Sequence, residues 1–270
     1  MDNRPYTQLR VGHLNVHSLD AHFEDVRAIM TRRDLHLFAI GESWLKPRMH
    51  SGPFEVTGYT LFRHDRVGAG AGGVALYVRD GLRCRCVAFS ERPPIYRNRP
   101  EFMFVQVRVE SSSVLVCAVY NPPKAGYWSD LEEALLNCRV TYDYAILCGD
   151  LNINWPVLSN PRATLRDFFV SYDFTPLPFG TTHHPGDTHT TIDYIYVRGL
   201  QALDTDKKHH LYISKHDALF ATLPIDVPPP VGANIRCRDF KRLDQRRFDA
   251  ELFSIDWAHI IGLVNVDAKV

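Results

Sequence analysis

The sequence predicts an α/β protein built from paired β-sheets with helices outside. Three observations carry that expectation. Many short apolar runs of strand length recur along the chain, separated by turn residues and mixed with a few stretches of helical spacing. The composition is ordinary for a globular protein: 270 residues, 45% hydrophobic and 23% charged, enough for one large domain or two small ones. The apolar runs also share a habit, in that each ends on a polar residue: Asn15, Glu42, Tyr120, Asp150 with Asn152, Asp193 and His216. Loops at strand ends are where a sheet scaffold presents chemistry.

Residues 9–16 alternate enough for a first strand ending at Asn15. Leu19, Phe23, Val26, Ile29 and Met30 then follow helical spacing, with Asp20 near the start. Residues 35–40 are an apolar run too short for a helix, closing on Gly41-Glu42. Residues 54–62 are a polar-broken segment with turn residues. A glycine loop (Gly68, Gly70, Gly72, Gly73) precedes a strand at 74–78, and it lacks the Lys-Ser/Thr of a nucleotide-binding P-loop. Residues 90–100, rich in Pro and Arg, read as a loop. In 102–109, Met103, Val105, Val107 and Val109 share one face. The run 114–119 is stopped by Pro122-Pro123. Ser129 with Glu132 reads as a capping box opening a helix through Leu131, Ala134, Leu135 and Cys138. Leu165, Phe168, Phe169 and Tyr172 suggest another helix, 190–197 a strand, and 218–225 a last strand. Pro228-Pro229-Pro230 is a stiff linker, and Phe240, Leu243, Phe248, Leu252, Phe253, Ile255 and Trp257 fit short helices.

Composition sets limits as well. No run of about 18 apolar residues exists, so no membrane span is expected. The first residues lack the apolar core of a secretory signal, and the six cysteines read as reduced. Together these predict a nuclear or cytoplasmic, non-secreted protein. The formal net charge is zero, so any nucleic acid must be held weakly or by local patches. His183, His184 and His189 lack a matched carboxylate or Cys spacing and are not read as a metal site.

The stretch at 144–154 is the pivot. A buried strand ends on Gly149, and Asp150 and Asn152 follow at spacing two, so an extended backbone aims both the same way. A carboxylate and an amide so placed can hold a water and a phosphate together. An Asx turn after a strand is the plainer alternative.

In series, His13-Leu14-Asn15-Val16, Gly41-Glu42-Ser43-Trp44-Leu45, Gly72-Gly73-Val74-Ala75-Leu76-Tyr77, Tyr120-Asn121-Pro122-Pro123, Gly149-Asp150-Leu151-Asn152, Thr191-Ile192-Asp193-Tyr194-Ile195 and Ser214-Lys215-His216 resemble the endonuclease/exonuclease/phosphatase superfamily. The resemblance covers roughly residues 8–225. Glu42-Ser43-Trp44-Leu45, the Gly-Gly-Val strand and the tail look like the apurinic-like endonuclease domain of non-LTR (LINE-type) retrotransposons. It implies a DNase I-like four-layer α/β sandwich, two packed and mainly antiparallel sheets flanked by helices. It also implies a nuclease domain over 1–226, a linker over 227–234, and a helical tail over 235–270 like the segment before a reverse transcriptase. The implied activity is divalent-metal-dependent nicking of DNA, which in retroelements primes reverse transcription. A phosphatase or exonuclease of the same fold is the alternative.

The resemblance also distributes roles. Glu42 is the expected principal ligand of Mg2+ (or Mn2+), with Asn15 beside it as ligand or supporting partner. Asp150 orients and deprotonates the attacking water, and Asn152 fixes a phosphate oxygen. Tyr120 lies near the phosphate, Asp193 holds the catalytic histidine, and His216 stabilises the transition state. Lys215 departs from the family, which has Asp there, and this raises the alternative of an impaired, DNA-binding or domesticated copy. Arg63, Arg66, Lys215 and Lys207-Lys208, the last pair expected in a loop, are candidates for DNA phosphates. The implied partners are a DNA substrate and, through a reverse transcriptase region, element RNA. The implied state is a monomer without a membrane.

Overall fold

The computed structural model describes residues 7–68, 70–91, 99–123, 128–138, 142–154, 167–210, 212–229 and 244–255. The chain divides into two compact units, Met1–Val231 and Gly232–Val270. The first holds β1 (Thr7–Asn15), α1 (Leu19–Arg33), β2 (Leu37–Gly41), β3 (Tyr59–His64), β4 (Val74–Arg79), β5 (Arg83–Phe89), β6 (Glu101–Val109), β7 (Ser112–Tyr120), α2 (Ser129–Cys138), β8 (Tyr144–Asp150), β9 (Thr175–Pro176), β10 (Asp193–Arg198), β11 (Asp204–His209) and β12 (Asp217–Val227). The second contains the helix Gln245–Phe253, capped by the Asp244 side chain. Of the predicted tail residues, Phe240, Leu243 and Trp257 lie outside the described residues, as do Leu165, Pro230 and the segment 92–98.

Two six-stranded sheets form, in the orders β11-β12-β1-β2-β4-β3 and β5-β6-β7-β8-β10-β9. Each has a single parallel pair, β1 with β2 and β7 with β8. The helix falls in the connection in both cases, as parallel neighbours require a crossover. Every other strand pair is antiparallel.

Three cores define the layers. Between the sheets, Val11, Leu37, Val74, Leu76 and Val78 share a cluster with Met103, Val105, Val107, Val109, Val116 and Ile146. The face predicted for β6 is therefore the inter-sheet face. Outside the first sheet, Leu19, Val26, Ile29 and Met30 of α1 cluster with Leu14, Phe38, Ile40, Tyr77 and Phe220. Outside the second, Leu131 and Leu135 of α2 cluster with Phe104, Leu115, Cys117, Leu147 and Tyr196. Both sheets are thus covered on both faces, which explains why their central strands read as continuous apolar runs.

Three segments depart from the sequence reading. Lys207 and Lys208 sit on β11, not in a loop, because β12 pairs with them across Leu219 and Ala218. The segment at 54–62 ends in β3, paired along β4. Ser129 is the first residue of α2, and its hydroxyl bonds Asp130 at 3.3 Å. By contrast, α1 starts on Ser18, whose side chain accepts from the Ala21 amide, and stops at Asp34 in the left-handed region.

His36, at the start of β2, yields a stability prediction. Its Nδ1 accepts the Arg10 amide N–H at 2.9 Å, and Nε2 lies 3.3 Å from the Thr7 hydroxyl. Burial, with the charges of Arg79 and Arg10, pushes its pKa from 6.5 down to about 4. The unfolded chain therefore takes up this proton first as pH falls. Stability from a neutral His36 is complete above pH 6.5 and is lost as pH drops to about 4. His36 should contribute a loss of about 3 kcal/mol to stability measured by urea unfolding across that window. The loss over this window should be smaller by about that amount in His36→Asn, and equal pH slopes in the two proteins would refute the assignment.

Candidate active site

The sheet registers deliver the site residues to one rim. Parallel pairing sets Asn15 beside Gly41, so Glu42 emerges next to Asn15. In the second sheet Asp150 lies between Tyr120 on β7 and Asp193 on β10. Gly149 permits that approach, because a Cβ there would stand 2.1 Å from the Val119 carbonyl oxygen. His216 precedes β12 and is bridged to His183.

One amide ties the two sheets together. Asn15 Nδ2 donates to Glu42 Oε1 at 3.0 Å and to Asp150 Oδ2 at 2.9 Å. Asn15 Oδ1 accepts from the His17 amide. Asp150 Oδ1 accepts the Asn152 backbone N–H at 2.8 Å, and Asn152 Nδ2 reaches Asp150 Oδ2 at 3.1 Å and the Asn121 carbonyl at 2.8 Å. Asn152 makes these bonds from a left-handed backbone, φ 49°.

The second half of the site is a buried ion pair. His216 Nδ1 meets Asp193 at 2.9 and 3.0 Å. Thr182 donates its hydroxyl to Asp193 at 2.9 Å, and His13 Nε2 stands 3.6 Å away. Burial alone would raise the Asp193 pKa, but the His216 charge and the His216 hydrogen bond, with His13 close by, hold it well below the usual carboxylate range. Burial likewise works against the His216 imidazolium, yet Asp193, then Asp150 and Glu42, raise its pKa to about 9. Asp150 goes the other way, raised by burial and by the negative charge of Asp193. Two neighbouring carboxylates with separated proton affinities mark distinct roles. Asp193 stays ionised beside a cationic His216, and Asp150 holds a proton more readily than Asp193 does.

Glu42 lies at the mouth. Its backbone is left-handed, φ 49°. The strand ends around it are laced by bonds from the Ser18 amide to the Glu42 carbonyl and from the Trp44 amide to the Gly72 carbonyl. Trp44 Nε1 donates to Glu42 Oε2 at 3.0 Å, and His17 stacks on Trp44 with ring centroids 5.9 Å apart. The Tyr120 phenol is held neutral by burial and by the charges of Glu42 and Asp150, so it remains a proton donor. Arg66 lies over its ring, 5.8 Å from the centroid. Oxygen atoms dominate this donor set, and the Asp150, Asp193 and His216 ligand atoms all lie within 4.8 Å of one another.

Residues 12–214 match the model of the endonuclease/exonuclease/phosphatase family. The chain belongs to that family. Among curated proteins it resembles the RNA-directed DNA polymerase from mobile element jockey of Drosophila funebris, 24% identical over 233 residues. That match covers 81% of this chain but 24% of the relative, so the chain spans about a quarter of the polymerase's length. Among solved structures, the AP endonuclease LMAP from Leishmania major superposes with a TM-score of 0.65 at 15% identity, covering 80% of this chain and 88% of that one. The endonuclease domain of TRAS1, a telomere-specific non-LTR retrotransposon, superposes with a TM-score of 0.61 at 14% identity, covering 80% and 98%. These likenesses establish the DNase I-like fold.

Against the family pattern, Lys215 is exposed beside His216, and its carbonyl accepts the His184 amide. Asp217 does not stand in for the missing aspartate. It is engaged with His184, His209 and Lys207. Arg63 is turned inward onto Asp65 and the carbonyls of Lys46 and Met49. Arg66 pairs with Glu101, which also accepts the Gly73 amide. Lys208 is exposed, whereas Lys207 bonds Asp217 and the Thr181 carbonyl. The sequence reading missed Thr182, His17 and the contact of His13 with Asp193. His13 alone left a signal, a polar side chain inside an apolar strand; Thr182 reaches the site from a loop with none.

Proposed function

We propose that the chain is a divalent-metal-dependent DNA endonuclease that nicks one strand as a step in retrotransposition. The observation that carries this reading is the buried Glu42–Asn15–Asp150 network, joined by the half-buried Asn152, beside the Asp193–His216 pair. Residues 1–226 would form the nuclease domain, 227–234 a linker, and 235–270 the approach to a reverse transcriptase. The likeness to the jockey polymerase supports that context, with DNA as substrate and element RNA as a partner of a longer protein.

The donor set suits a hard cation such as Mg2+ or Mn2+. Glu42 would hold it, one carboxylate sufficing for an ion that keeps most of its waters. Asn15 turns its N–H groups to both carboxylates, which favours a positioning role over direct ligation. When bound, the ion supplies charge stabilisation at the phosphoryl oxygens. Asp150 takes the proton of the attacking water. Asn152 orients that water and a phosphate oxygen, and Asp150 in turn anchors Asn152. His216, held cationic by Asp193, donates from Nε2 to a non-bridging oxygen. Tyr120 donates from its phenol to the same phosphate. The water oxygen would bond to phosphorus as the bond from phosphorus to the 3′ oxygen breaks, and that oxygen would take a proton from solvent, leaving a 5′-phosphate and a 3′-hydroxyl. Plasmid nicked by the protein should therefore be extended by a DNA polymerase without prior phosphatase treatment. Nicks that need phosphatase before extension would overturn this bond assignment.

Lys215 supports the second reading, an impaired copy that binds DNA, because a cation at this rim opposes a bound Mg2+. Lys215→Asp should lower the Mg2+ concentration for half-maximal nicking about tenfold. An unchanged Mg2+ dependence would show that Lys215 is tolerated and does not weaken metal binding.

A further inference from the structure

A second cluster of ligands lies outside the active site, and its members come from three separate segments. Asp217 is buried at the start of β12. His209 on β11 is its direct cross-strand neighbour, with Nδ1 at 2.8 Å from Asp217 Oδ1. His184 arrives from the loop before β10, Nε2 at 3.1 Å from both Asp217 oxygens. Backbone bonds fix that loop in place: the Asp217 amide donates to Thr182 O at 2.7 Å, and the His184 amide to Lys215 O at 2.9 Å. Behind His184, its Nδ1 lies 2.8 Å from His189 Nδ1. Lys207 places its ammonium 3.1 Å from Asp217 Oδ2, supplying there the positive charge that a cation would otherwise bring.

We propose that His184, His209 and Asp217 form a Zn2+ site. The ligand atoms of all three lie within 4.8 Å of one another. Around tetrahedral zinc, bonds of about 2.0–2.1 Å put ligand atoms roughly 3.3 Å apart. The separations of 2.8 and 3.1 Å here are hydrogen bonds close to that value. Two imidazoles and a carboxylate suit zinc better than Mg2+. A histidine that binds metal through one ring nitrogen usually gives the other to an orienting partner, and His189 occupies that position behind His184. Binding displaces Lys207 from Asp217 and leaves the fourth position to water. The ion would clamp the loop carrying His183, whose ring lies 4.4 Å from that of His216, to the β11–β12 ladder.

Co2+ titration of the full chain tests this site independently of nuclease activity. We expect visible absorption of a four-coordinate nitrogen/oxygen site that saturates with one equivalent and is displaced by Zn2+. It should lack the near-ultraviolet thiolate band that Cys84 or Cys86 would give. The signal should persist in Glu42→Ala, because the active-site rim is not involved. His209→Ala and, separately, His184→Gln should weaken binding at least tenfold, His189→Ala roughly tenfold, and Lys207→Met should tighten it. Folding of each variant is checked by circular dichroism. Unchanged affinity in both His209→Ala and His184→Gln, loss of binding in Glu42→Ala, or no Co2+ binding by the parent would overturn the proposal.

Discussion

Replacing Glu42 by alanine should reduce Mg2+-dependent nicking by roughly a thousandfold or more while leaving the protein folded. The carboxylate would be the direct protein ligand of the cation, so its removal takes away both the ion's position and its field at the phosphate. The effect on stability should be small by comparison. Glu42 lies beyond the end of β2, outside all three apolar cores. Its removal leaves Asn15 bonded to Asp150 but takes one hydrogen bond from Asn15 and one from Trp44. Two net hydrogen bonds are worth about 2 kcal/mol, against at least about 4 kcal/mol of lost transition-state stabilisation. Thermal unfolding beside nicking rates separates the two. A rate within threefold of the parent would remove Glu42 from the metal site.

The Asp193–His216 pair should give the second largest effect. In the proposed mechanism His216→Ala would remove the cationic donor to the phosphate, an expected loss of roughly 10² to 10³ in rate. Asp193→Asn should come close to it although Asp193 touches no substrate. The asparagine keeps a partner for His216 Nδ1 but removes the charge that raises the imidazole pKa to about 9. His216 then lies neutral in a buried site at neutral pH. Because both changes disable one unit, the double variant should be scarcely worse than His216→Ala alone. Additive losses in the double variant would show that the two residues act separately.

The parts legible in the sequence were those with a packing signature. β1, β2, β4, β6, β7, β8, β10 and β12 are apolar because both sheets are covered on both faces. β11 was not legible, since Asp204–His209 contains no apolar residue and becomes a strand only by pairing with β12. β5 and β3 are edge strands whose polar residues break the pattern. The residues at the rim showed themselves as polar ends of apolar runs. Their mutual bonds did not, because the Asn15–Asp150 contact joins residues 135 apart in sequence. Separation along the chain also hid the carboxylate answering His184. Asp217 follows it 33 residues later, so the histidines appeared without a partner.

Relaxation of supercoiled plasmid by the full chain, with Mg2+ and with EDTA, beside Glu42→Ala, tests the central claim most directly. The site described here predicts open circles from the parent in Mg2+, none in EDTA, and none from Glu42→Ala. Plasmid left supercoiled by the parent in both Mg2+ and Mn2+, or nicked equally by Glu42→Ala, would contradict it.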